Sequence, residues 1–118
     1  MPIGERHLFY TDDAVAYGVA AAVVLHNLTY WIAFNKSRGT HVFKVYIDDM
    51  EQERTWTYNA IADFAKAIPY LSQKQVWRIV DKLVRDKVLI RGWFNHTNCD
   101  RTSWYCFRDE SRFYQTGK

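Results

Sequence analysis

Four cations follow one another at helical spacing in the second half of the chain: Lys74, Arg78, Lys82 and Arg85. Side chains three and four residues apart share one face of a helix, so these would form a positive stripe able to lie along a polyanion. Gln73 and Gln75 open the same run, where a glutamine amide can pair with an adenine edge, while Arg78 suits a guanine edge or a phosphate. Lys74 and Lys82 fit phosphates, which give affinity without sequence information. Arg85 and the neighbouring Lys87 also suit the negative end of a helix dipole. A second polar group, His96, Asn98 and Arg101, lies in the stretch Asn95-His96-Thr97-Asn98-Cys99-Asp100-Arg101, which has the composition of a hairpin tip. Such a tip can enter a minor groove or touch the phosphate backbone. The rival readings are a solvated helix face and an ordinary polar turn.

Other chemistries lack their residues. No phosphate-cradling glycine loop, Gly-x-Ser-x-Gly elbow or His-Glu-x-x-His pair occurs, and only 5 glycines are present, so catalysis is not expected. His96, Cys99, Asp100 and Cys106 can each ligate zinc, but they lack the paired spacings of structural sites; neither a metal nor another cofactor is expected. Trp77, Trp93 and Trp104 read as packing residues, and His26, inside an apolar run, as a satisfied core histidine.

The elements that must hold the stripe fit within one domain covering residues 1–118. The chain is 48% hydrophobic and 17% aromatic, enough for a core that needs no disulfide or metal. The net charge of +3 is mild, but its distribution is uneven: residues 72–95 carry six basic and two acidic side chains, whereas residues 40–71 sum to −2. Two cysteines and no leader-like start point to a reducing, cytoplasmic setting. Residues 14–34 are uncharged over a bilayer's thickness, yet His26, Asn27 and Thr29 in the middle and the alanine content argue against a membrane role.

Local patterns give the order of elements. A long first helix is expected over about 11–36, capped by Thr11, with Asp12 and Asp13 in its first turn and Lys36, Arg38 and Gly39 at its end. Val19–Leu25 is apolar on every side, which predicts burial all round and makes this helix a candidate homodimer contact. A short hairpin or loop ending in a strand follows, carrying the acidic Asp48, Asp49, Glu51 and Glu53. A helix of about ten residues starts near Tyr58 and stops before Pro69. Ser72 and Gln75 form a capping box for the next helix, with Leu71 and Val76 as its hydrophobic staple. That helix turns Val76, Ile79, Val80, Leu83 and Val84 inward and the cations outward. Two helices over 58–87 joined by a four-residue turn are a helix-turn-helix pattern, and strands over 88–94 and 102–107 would make a wing before a polar tail at 108–118.

The expected fold class is therefore α+β, a winged helix-turn-helix with a long apolar first helix and a C-terminal β-hairpin wing. The stretch 54–107 also resembles the N-terminal winged-helix domain of phage replication-initiation proteins, the replisome organisers. The residues that carry the resemblance are TWTYN at 55–59, LS at 71–72, VLIRGWFN at 88–95, DRTSWY at 100–105 and, in the first helix, HNLTYWI at 26–32. It implies a phage- or plasmid-encoded protein that binds double-stranded DNA with the Ser72 helix in the major groove, in replication initiation or its regulation. It also implies that Asp100 and Arg101 brace the hairpin by pairing. Relatives usually continue into a region that recruits the helicase, and this chain ends soon after the wing, so recruitment is not implied. The alternative expectation is a protein-interaction module that blocks a host replication, transcription or defence complex, its acidic patch mimicking DNA phosphates.

Overall fold

The computed structural model describes residues 8–58, 61–92 and 103–110. Over these residues the chain is an α+β fold of helices and small antiparallel sheets. Its order is α1 (Thr11–Tyr17), α2 (Val19–Arg38), β1 (Val42–Ile47), β2 (Met50–Thr55), β3 (Thr57–Tyr58), α3 (Ile61–Ala67), α4 (Gln73–Arg85), β4 (Leu89–Gly92) and β5 (Trp104–Phe107).

The expected first helix is two helices. Gly18 separates them at φ 91°, ψ 159°, a conformation almost confined to glycine. The chain folds back there: Tyr10 and His26, equally distant from Gly18 in sequence, meet edge to face with ring centroids 5.5 Å apart. Thr11 is the first helical residue rather than the cap; Tyr10 takes the cap position and makes no side-chain cap bond. The other end follows expectation, with Lys36 and Arg38 in the last turn and Gly39 left-handed at φ 66°. Burial all round, expected from Val19–Leu25, holds for Ala21 to Leu25, because α1 packs on α2 as well as the core does. It fails at Val19, which is exposed at the start of α2, and further along, where Tyr30, Trp31 and Phe34 are exposed. His26 is half-buried, and its buried Nδ1 has no hydrogen-bond partner among the described residues, so it is not a satisfied core histidine. Among the described residues, no helix is long and apolar enough to cross a membrane.

One apolar cluster unites the helices and the second sheet: Val24, Leu25, Leu28 and Ile32 of α2, Phe64 and Ile68, Val76, Val80 and Leu83 of α4, and Leu89, Tyr105 and Phe107. Each such side chain contributes about 1.5–3 kcal/mol by leaving water. Ile68 closes the α3 end by donating its N–H to Phe64 O at 2.9 Å, and Pro69 prevents continuation. The other end differs from expectation. Tyr58 does not begin that helix; it continues the expected strand from Thr57, the two pairing with Trp104 and Tyr105, and the helix starts at Ile61.

The sheet so formed has the order β3-β5-β4, with Leu89 opposite Phe107 and Gly92 opposite Trp104. A strand before the helix pair that joins the edge of the closing hairpin is compatible with a winged-helix-like arrangement. The paired strands fall inside the expected wing; residues 93–102, its tip, lie outside the described residues.

Residues 42–55 form a full hairpin rather than a loop. Asp48 and Asp49 turn it with φ 52° and 63°, the doubly positive geometry of a two-residue turn that Asp tolerates. Phe43 and Val45 pack on Trp56, Trp104 and Cys106, and Trp104 meets the Phe43 ring at 5.5 Å. Arg54 fastens the hairpin to the chain after β5, its Nη2 donating to Arg108 O at 2.7 Å and to Gln52 Oε1 at 2.9 Å.

Candidate nucleic-acid interface

The capping box that starts α4 is formed: Ser72 Oγ accepts from Gln75 N at 3.1 Å and Gln75 Oε1 accepts from Ser72 N at 2.8 Å. It fixes where the helix begins and so the phase of every later side chain. Val76, Val80 and Leu83 are buried, with Ile79 and Val84 packed beside them. At about 100° per residue, Lys74, Arg78 and Arg85 fall within an arc of about 40° on the opposite side, and Lys82 lies about 40° beyond Arg78. All four are exposed.

Their electrostatic surroundings divide the stripe. Lys82 Nζ stands 2.6 Å from Asp86 Oδ2, and Arg85 Nε stands 3.1 Å from Asp81 Oδ2. Asp81 is shared, its Oδ1 lying 3.6 Å from Nη1 of Arg91, whose guanidinium sits over the Tyr105 ring. Exposed pairs at i,i+4 are worth under about 1 kcal/mol, so either cation can be exchanged toward a phosphate. Among the described residues, Lys74 and Arg78 have no ion pair or hydrogen bond. The N-terminal half of the stripe therefore carries uncompensated charge, and the C-terminal half is held in local pairs.

The other expected site residues are placed as follows. Gln73 is exposed in the first turn of α4. Gln75 is exposed, but the cap occupies its amide oxygen, so the side chain cannot offer the paired contacts that adenine reading requires. His96, Asn98 and Arg101 lie outside the described residues, as do the Asp100–Arg101 brace and Trp93.

Trp77 departs from its expected packing role. It is 51% exposed on α4, and among the described residues it has no hydrogen bond, ring contact or cation–π partner. Asp81 and Asp86 were not foreseen as partners, although their spacing of four from Arg85 and Lys82 was the available signal. Cys106 is buried, and loss of hydration pushes its thiol well above the usual range, so it stays protonated and is unsuited to nucleophilic or metal chemistry. Among the described residues, no three His, Cys, Asp or Glu side chains converge as a metal site would require.

The acidic patch is partly neutralised. Asp48 Oδ1 pairs with Arg108 Nη2 at 2.7 Å, and Glu51 with Lys44 at 3.3 Å. Two of its four carboxylates are thus paired within the chain, which weakens the case for phosphate mimicry. An apolar cleft of about 240 Å³ lies between α1 and α4, lined by Ala16, Tyr17, Ala21, Ile79 and Leu83 with Lys82 and Asp86.

Comparison with family models, with curated proteins and with solved structures finds no match to this chain.

Proposed function

We propose that this chain is a winged-helix protein that binds double-stranded DNA through α4, acting without catalysis in replication initiation or its regulation in a phage or plasmid. The observation that carries the reading is the outer side of α4, where Lys74 and Arg78 stand exposed, with no partner among the described residues, opposite a buried apolar face. An amphipathic helix braced in this way can enter a major groove without reorganising its core. Gln73 is the base reader of the first turn, Arg78 reads guanine or holds a phosphate, and Lys74 and Lys82 hold phosphates. The sheet order β3-β5-β4 supports the winged-helix assignment, and His96, Asn98 and Arg101, which the sequence pattern assigns to the wing tip, are the second contact.

The test is charge reversal. Lys74→Glu/Arg78→Glu/Lys82→Glu should abolish binding to labelled duplex at low salt while circular dichroism and melting stay those of the native chain. Equal binding by this variant would refute the assignment.

One observation favours a second reading as a protein-interaction module acting on a host replication, transcription or defence complex. Tyr30, Trp31 and Phe34 form an exposed aromatic run on α2, with ring centroids 5.2 Å and 6.0 Å apart. Such a surface suits a protein partner or a second copy of this chain. A stoichiometric host partner in a pull-down, with no shift of random duplex at low salt, would favour this reading; sedimentation would detect the homodimer.

A further inference from the structure

We infer that the flank of α4 formed by Gln73 and Trp77 is a stacking site for an unpaired DNA base, so that the helix engages single-stranded or opened DNA as well as duplex. This rests on the reading of α4 as a DNA-binding surface and extends it to a strand whose bases are free.

Trp77 lies one helical turn after Gln73, and by the same angular count it stands about 60° round from Lys74, between the cationic arc and the core. The indole is 51% exposed, so about half of its surface is left for contact with a ligand. Its N–H has no hydrogen-bond partner and its ring no aromatic or cationic partner among the described residues. Lys74 and Arg78, which have no partners among the described residues, supply positive charge along one side of it, which complements a strand's phosphates. On the other side the exposed Gln73, one turn away, offers an amide donor and acceptor to the edge of a base lying on the ring.

A base within a duplex has both faces covered by its neighbours, so an indole on the helix flank gains nothing from it. An unpaired base presents a free face, and aromatic stacking beside cations is how sequence-tolerant single-strand binding is built. The two modes therefore separate by residue: Lys74 and Arg78 serve both, and Trp77 serves only the unpaired strand.

The experiment uses the full chain with three fluorescein-labelled probes in low salt: a dT oligonucleotide, a blunt duplex, and the duplex with a dT overhang. Trp77→Ala should weaken dT binding roughly ten-fold and reduce the overhang's advantage over the blunt duplex, leaving blunt-duplex affinity within about two-fold. Trp77→Phe should recover most of the loss, because a smaller ring still stacks. Unchanged dT affinity in Trp77→Ala would overturn the stacking site while leaving duplex recognition standing. An equal loss on all three probes would overturn it too, since it would mark Trp77 as support for the helix. Should the native chain bind none of the probes, the DNA reading itself fails and this inference with it.

Discussion

Helices α2 and α4 pack against each other through the same core, yet their outer sides are built for different surroundings. On α4, inward and outward residues are of opposite kind: Val76, Val80 and Leu83 are buried, and Lys74, Arg78, Lys82 and Arg85 face water. On α2 both sides are apolar, Leu25, Leu28 and Ile32 inward and Tyr30 and Phe34 outward. A cationic side remains soluble alone and waits for a polyanion, whereas an aromatic side lowers its free energy by being covered. On the proposed reading, α4 is the surface for nucleic acid and the outer side of α2 a surface for protein.

The largest effect that would sharpen this contrast is on stability. Leu28 is fully buried, so Leu28→Ala should cost about 2–5 kcal/mol in urea unfolding, whereas Tyr30→Ala, two positions on, should change it by less than about 0.5 kcal/mol in the monomer. Equal costs would mean that both sides of α2 are core. Gly18→Ala comes next: a Cβ there meets nothing within 4 Å, but the positive φ remains, so the cost of about 1–3 kcal/mol is one of backbone strain. It should unfasten α1 before the rest, read as faster hydrogen exchange at Ala14, whose N–H donates to Tyr10 O. Ser72→Ala removes the cap from α4 and should cost about 1 kcal/mol. Smallest of all, Asp86→Asn frees Lys82 for a phosphate and should change stability by under about 1 kcal/mol while tightening duplex binding at low salt.

α4 was legible in the sequence because every cue for it is local. The Ser72–Gln75 box, the apolar period and the cations all lie within fourteen residues, and each agrees with the others. The first helix was misread because nothing in an unbroken apolar pattern signals a reversal; only Gly18, a single residue among many helix formers, marks it. A strand ending near Thr57 is expected from the sequence, but Tyr58 reads as the start of the next helix for a related reason: two residues cannot show alternation, and Thr57 and Tyr58 are held as a strand by Tyr105 and Trp104, almost fifty positions away. Within the site, exposure could not be read from type: Trp77 was assigned to packing because indoles usually pack, and its place on the helix wheel, off the apolar arc, was the cue overlooked.

The salt dependence of duplex binding tests α4 as the DNA-binding surface most directly. Each phosphate neutralised by a lysine or arginine contributes close to one unit to the slope of log affinity against log salt. Lys74→Ala/Arg78→Ala should reduce that slope by about two units relative to the native chain where Arg78 holds a phosphate, and by about one where it reads guanine. A double variant whose slope matches the native one would contradict α4 as the surface that meets DNA.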